Sequence, residues 1–332
     1  MSSYIQYNLV ARPTSSHITN DLFERVENDI PSAGPGQILV KQTHMSLDPA
    51  MLGWMSPDPE SYIPPVELGA MMRSSGLGEV VESNHPDYTV GDRVMGMTGW
   101  AEYVLSSGEG LNKVQEGLDA ETVLSVFALP GLTATQGFYH IGKPKAGETM
   151  VVSGAAGSVG SIVGQLGKAE GMTVIGVAGS DEKCAWLTSE LGFDGAINYK
   201  TDDVAAKLKE LTPNGIDVYF ENTGGEIQNL VVNRMNAHGR IAVCGMISDY
   251  GKATPSAGPN WIPLIKKRLT IQGFAMPDHF GDVPGLLAKL TPHVMAGKIK
   301  HRAHLIDGLD SAIDGLNLLF TGGNNGKLIV KL

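Results

Sequence analysis

The stretch that most restricts how this chain can fold covers residues 149–167. An apolar run, TMVVS, leads at once into SGAAGSVGSIVG, whose glycines are Gly154, Gly157, Gly160 and Gly164. Val159, Ile162, Val163 and Leu166 then recur at i, i+3, i+4 and i+7, the spacing of one buried helix face. Strand, glycine-rich turn and helix in this order aim backbone N–H groups near residues 157–159 at an anion such as a pyrophosphate. Gly160, Gly164 and Gly167 leave gaps through which helix and strand can approach closely. The pattern is A-x-G-x-x-G, with Ala155 in the first place, and in isolation it also suits a plain strand-to-helix turn.

The rest of the chain decides between these readings. Strand-like runs at 149–153, 173–178, 195–199, 216–220, 240–244 and 269–274 alternate with helical patterns such as 202–211 and 226–235. This rhythm predicts an α/β domain built on a parallel, doubly wound Rossmann sheet. Before about residue 120 the runs at 37–43, 78–82 and 87–95, the last turning at Gly91-Asp92, read instead as a mostly antiparallel β domain. A last run, KLIVK at 327–331, is expected to return to it. The predicted division is therefore 1–122 with 300–332 for the β-rich domain and 123–299 for the nucleotide-binding domain.

A formal net charge of −10 without a basic run argues against a nucleic-acid partner. The two cysteines, Cys184 and Cys244, make neither a disulfide framework nor a C-x-x-C site, which suits a reducing cytoplasm. No charged start followed by an apolar core is present, nor a run of eighteen apolar residues, so neither a signal peptide nor a membrane partner is expected.

The end of the second strand bears on the choice of nucleotide. A site for NAD usually carries an acid there that binds the ribose hydroxyls. Here TVIGVA runs into Gly179-Ser180, then Asp181, Glu182 and Lys183. Gly179 leaves room for a 2′-phosphate, Ser180 can donate to it, and Lys183 supplies charge. Ser180 is equally a helix N-cap, and Asp181 is discordant because it could bind a ribose. The set favours NADPH.

These residues, with others, resemble the medium-chain dehydrogenase/reductase superfamily, in particular its zinc-independent leukotriene B4 dehydrogenase/prostaglandin reductase group of alkenal and enone double-bond reductases. The motifs are Leu47-Asp48-Pro49, VGDRV at 90–94, LPGLTA at 129–134, the glycine turn, and Ala178-Gly179-Ser180 through Lys183. They continue with Asn198-Tyr199-Lys200, ENTGG at 221–225, CGMIS at 244–248 and NNGK at 324–327, in order across nearly the whole chain. The resemblance implies a GroES-like β domain and a homodimer. It implies that Gly157, Ser158, Val159 and Gly160 hold the pyrophosphate and that Lys183 and Tyr199 bind the 2′-phosphate of NADPH. Asn222, the loop of Cys244, Gly245, Met246, Ile247 and Ser248, the run Phe274, Ala275 and Met276, and Asn324 would line the nicotinamide and its ribose. Mundane roles exist for some: Asn324 adjoins an Asn-Gly hairpin-type turn, and Phe274 ends a strand. Zinc-dependent relatives use Cys and His ligands. Two cysteines cannot build a four-Cys lobe, and His301 and His304 sit three apart in a loop-like stretch, so no metal is expected.

Without a metal, reduction of an activated C=C bond needs hydride at the β-carbon and a donor for the charge growing on the carbonyl oxygen. Tyr250, in MISDYG, is the candidate donor. A phenol with an ordinary pKa of about 10 stays protonated at neutral pH; a plain loop tyrosine is the other reading, and the cofactor ribose could share the role. The expected reaction is therefore NADPH-dependent reduction of α,β-unsaturated ketones or aldehydes. A quinone reductase, an alcohol dehydrogenase and a catalytically silent NADPH-binding protein are the alternatives. Relatives commonly read D-P-Y-M-R where this chain has Asp48-Pro49-Ala50-Met51-Leu52. Losing that ring and charge predicts a roomier, more apolar substrate mouth at Ala50, Met51 and Trp54, or simple core packing of Met51 and Trp54. The Gly- and Pro-rich loop 249–261 is the candidate rim.

Overall fold

The computed structural model describes residues 2–332. It divides into two units, one running to Leu124 and resuming at Ala303–Leu332, the other continuous over Ser125–Arg302. Among the described residues no helix is long and apolar enough to cross a membrane.

The first unit is β-rich. β1 (Ser3–Leu9) and β2 (Phe23–Asp29) pair antiparallel. β3 (Ile38–Ser46), β4 (Ser75–Ser83), β5 (Arg93–Met97), β6 (Tyr103–Ser106) and β7 (Asn112–Lys113) belong to a seven-stranded sheet. Alternate residues Ile38, Val40, Val80 and Val94 form its small core with Leu111, as period-two burial requires. A short helix, Ala50–Met55, leaves the end of β3.

The second unit carries six parallel strands: β8 (Thr149–Ser153), β9 (Thr173–Ala178), β10 (Gly195–Asn198), β11 (Ile216–Glu221), β12 (Met235–Val243) and β13 (Thr270–Gly273). Their order, β10-β9-β8-β11-β12-β13, reverses direction between β8 and β11, the place where a doubly wound sheet opens a crevice at its carboxyl ends. Successive residues of each strand feed opposite cores: Met150, Val152, Val218 and Phe220 one, Val151, Ile175, Tyr219 and Ile241 the other. Burial on both faces explains why these strands read as continuous apolar runs.

The last strands return to the first unit. β14 (Ala303–Asp307) and β15 (Lys327–Lys331) pair in parallel, and β15 lies antiparallel to β3. Two local expectations are corrected. His304 lies within β14 rather than in a loop. Asn325-Gly326 links the helix Ala312–Thr321 to β15, not two hairpin strands, because the neighbours of β15 come from elsewhere in the sequence. β12 also starts earlier than its apolar core, at Met235, where it pairs with Ile216 before a register shift.

Candidate functional site

The carboxyl end of β8 makes a cradle of bare backbone. Gly154 has φ +57°, a conformation that side chains resist. A Cβ at Gly160 would lie 2.5 Å from the Gly154 carbonyl oxygen and 2.9 Å from Ala155 Cα. Gly157 caps the helix Ser158–Ala169 in an extended conformation without any side-chain cap bond. In the first turn of a helix the N–H groups have no intrahelical acceptor, and here those groups belong to Ser158, Val159 and Gly160. A turn with no space for side chains and donors at its mouth fits a pyrophosphate.

At the end of β9, Ser180 is the N-cap of the helix Asp181–Ser189, its Oγ accepting from Lys183 N–H at 3.2 Å. Asp181, the discordant residue, is held by Asn198, whose Nδ2 donates to its Oδ1 at 2.7 Å. Tyr199 is 43% exposed and its hydroxyl would lie 3.0 Å from a Cβ at Gly179, so glycine there preserves the space beside the phenol. Lys200 Nζ lies 6.0 Å from the Tyr199 ring centroid. The Lys183 ammonium is held below the ordinary lysine range, by burial first and by the Lys200 charge second. Two neighbouring cations, with the Tyr199 phenol laid against a glycine, fit a 2′-phosphate. Lys200 was not among the sequence candidates, although it adjoins Tyr199.

The switch point is organised by a buried carboxylate, Glu221, 0% exposed at the end of β11. Ser153 Oγ donates to its Oε1 at 2.6 Å, and the Thr223 and Gly224 N–H groups donate to the same oxygen at 2.7 and 3.0 Å. Tyr219 OH donates to Oε2 at 2.6 Å. Asn222 is fixed in turn: its N–H reaches Ser153 Oγ at 2.8 Å and its Nδ2 the Ser153 carbonyl at 2.7 Å. The following loop is laid on this one, Ile247 N–H donating to Asn222 O and Ser248 N–H to Thr223 O. Sequence reading placed Glu221 in the ENTGG motif but gave it no role; an acid closing the apolar run VYF was the available signal.

Tyr250 closes that loop. Its hydroxyl oxygen accepts from Met246 N–H at 3.3 Å and would stand 3.1 Å from a Cβ at Gly245. The Cys244 thiol is pushed up to about 12, by burial first and the Glu221 charge second, and so stays neutral. The start of loop 249–261 is tied by Asp249, whose Oδ1 accepts from Lys252 Nζ at 2.9 Å and from Ser256 N–H at 3.2 Å.

Of the remaining candidates, Phe274 stands edge-on to Phe220 with centroids 6.5 Å apart. Met276 packs inside against Leu132 and Leu286, and Ala275 links the two as the N-cap of the turn Met276–Asp282. In the first unit Ala50 is half-buried, Met51 is 0% and Trp54 5% exposed. Asn324 Nδ2 donates to Gly326 O at 2.8 Å. Among the described residues no group of three or more His, Cys, Asp or Glu is placed to hold a metal ion.

Two family models match the chain: an N-terminal domain of oxidoreductase over residues 6–114 and a zinc-binding dehydrogenase domain over residues 158–291. The NADPH-dependent curcumin reductase of Escherichia coli is 40% identical over 98% of this chain and 95% of its own length. The NADP(+)-dependent 2-alkenal reductase of Nicotiana tabacum is 40% identical over 90% of this chain and 88% of its own. The crystal structure of CurA from Vibrio vulnificus in complex with NADPH, 38% identical, superposes with a TM-score of 0.92 over 98% of each chain. Identity at this level over nearly full length carries family membership as well as fold: the chain belongs to the medium-chain dehydrogenase/reductase superfamily, in its zinc-independent group of alkenal and enone double-bond reductases.

Proposed function

We propose that this protein reduces the activated C=C bond of α,β-unsaturated ketones or aldehydes with NADPH and without a metal. The single observation that carries the reading is the Tyr250 hydroxyl held by Met246 N–H at 3.3 Å, on a loop anchored at the sheet's switch point. NADPH, when bound, supplies the hydride. Gly157, Ser158, Val159 and Gly160 hold its pyrophosphate. Ser180, Lys183 and Tyr199, joined by Lys200, take its 2′-phosphate. Asn222, the loop 244–248, the run 274–276 and Asn324 serve its nicotinamide half. As the substrate β-carbon becomes saturated, charge moves to the carbonyl oxygen, where the Tyr250 O–H donates a hydrogen bond, and a proton from solvent then completes the α-carbon. Ala50 belongs to the substrate end, and Met51 and Trp54, 0% and 5% exposed, back it from the core.

The test is NADPH oxidation against a panel of enones, enals, quinones and secondary alcohols. Turnover of enones and enals is expected to exceed that of quinones. Tight NADPH binding with no turnover of any compound identifies a silent binding protein and overturns the reading.

We also infer a cytoplasmic homodimer. Both cysteines are free, as a reducing compartment keeps them. β13 ends the six-stranded sheet, and Ile262 and Ile265 on the helix just before it are 52% and 77% exposed. A two-fold pairing of such edges would cover both. Light scattering at micromolar concentration should give twice the chain mass; a monomer mass refutes it.

A further inference from the structure

Lys327 and Asp48 form an ion pair inside the first unit, Nζ to Oδ1 at 2.6 Å, with side chains 2% and 11% exposed. The same ammonium donates to the Leu47 carbonyl at 2.8 Å, and Ser46 Oγ donates to the second oxygen of Asp48. Stability alone is a poor reason for such a pair. Desolvating two charges offsets their attraction, and apolar residues of similar volume often serve as well. Nor is the pair needed to join its strands, because β15 already pairs with β3 and Leu47 N–H bonds Leu328 O.

What apolar packing cannot supply is direction, and the two partners stand where direction matters. The Asp48 carbonyl accepts from Met51 N–H at 3.0 Å, starting the helix Ala50–Met55, whose Met51 and Met55 are both fully buried. Lys327 directly follows the turn that Asn324 closes onto Gly326. One ammonium therefore fixes the start of the substrate helix and the end of the Asn324 turn relative to each other. We propose that Lys327 and Asp48 are positioning residues that hold Ala50 and Asn324 in mutual register for substrate and NADPH. This rests on the functional reading above for the roles of Ala50 and Asn324.

The experiment compares Lys327→Met/Asp48→Leu, Lys327→Arg, Asn324→Ala and Ala50→Phe. Each is measured by thermal unfolding, by NADPH Kd from fluorescence, and by KM and kcat for an enone. The double variant is expected to unfold near the wild-type temperature while NADPH Kd and enone KM rise roughly ten- to hundredfold, as displaced binding groups do. Lys327→Arg keeps the charge but not the compact head, and is expected to fold and to show the same rises in smaller measure. A folded double variant with wild-type constants overturns the proposal. So does a double variant that fails to fold alongside a folded Lys327→Arg with wild-type constants. If Asn324→Ala and Ala50→Phe leave Kd and KM unchanged, the site assignment itself fails, an outcome distinct from failure of the ion pair alone.

Discussion

The Ser153 hydroxyl donates to Glu221 Oε1 at 2.6 Å, joining the ends of β8 and β11. That bond fastens the glycine cradle to the loop that carries Asn222. Through Ile247 and Ser248 it also reaches the loop of Tyr250. The glycine turn proposed for the phosphate and the phenol proposed as donor thus share one buried support.

Glu221→Gln tests that support. An amide has one accepting oxygen, so either the Tyr219 hydroxyl or the Thr223 and Gly224 N–H groups lose an acceptor in the interior. The expected cost is about 1–3 kcal/mol, seen as an unfolding temperature lowered by several degrees and a weaker NADPH Kd. Unchanged values for both would show that the loop is held without the carboxylate.

Lys183→Ala should raise the KM for NADPH roughly tenfold or more, the scale of a lost charged hydrogen bond, with little change for NADH. The wild-type enzyme should show the same dependence through pH. The charged ammonium is the form that attracts phosphate, and its pKa lies below that of an ordinary lysine. Its charge is therefore lost sooner as pH rises. The kcat/KM for NADPH, which reports the free enzyme, should begin to fall at a pH below the ordinary lysine range while the value for NADH stays level. Parallel profiles for both cofactors would count against Lys183.

Tyr250→Phe removes the donor and keeps the ring. A fall in kcat of tenfold or more is expected, within the range of general-acid groups (about 10²–10⁴) reduced by any help from the ribose hydroxyl. NADPH Kd should hardly move. Stopped-flow reduction of an enone is the measurement, and an unaltered rate removes Tyr250 from the chemistry.

Gly164→Ala tests the close approach of helix and sheet. A Cβ there would lie 1.8 Å from Phe193 Cζ, so the ring or the helix must shift. Overpacking of this kind costs about 1–3 kcal/mol; calorimetry showing no loss of stability would mean that Phe193 moves freely.

Much of this was legible before the structure, because strands buried on both faces write themselves as apolar runs: β8 and β9 lie where TMVVS and TVIGVA stand. The N-cap at Ser180 was legible for a similar reason, being a bond between neighbours. What escaped were partners distant in sequence. Asn198 reaches back to Asp181, Ser153 reaches forward to Glu221, and Lys327 meets Asp48 across 279 positions. A lysine opening KLIVK and an acid in LDP each look like ordinary surface charges until the sheet brings them together.

The interrupted first unit has a consequence for synthesis on the ribosome. The nucleotide-binding unit is one continuous stretch and is complete once Arg302 has emerged. β3 is made before that unit, yet its neighbour β15 is made only after it. Until β15 is made, β6 covers that side of β3 only over Ile38–Lys41, His44–Ser46 has no strand beside it there, and the carboxylate of Asp48 has no cation to meet it. Newborn chains are therefore open to aberrant strand pairing at His44–Ser46 until Lys327–Lys331 has been made.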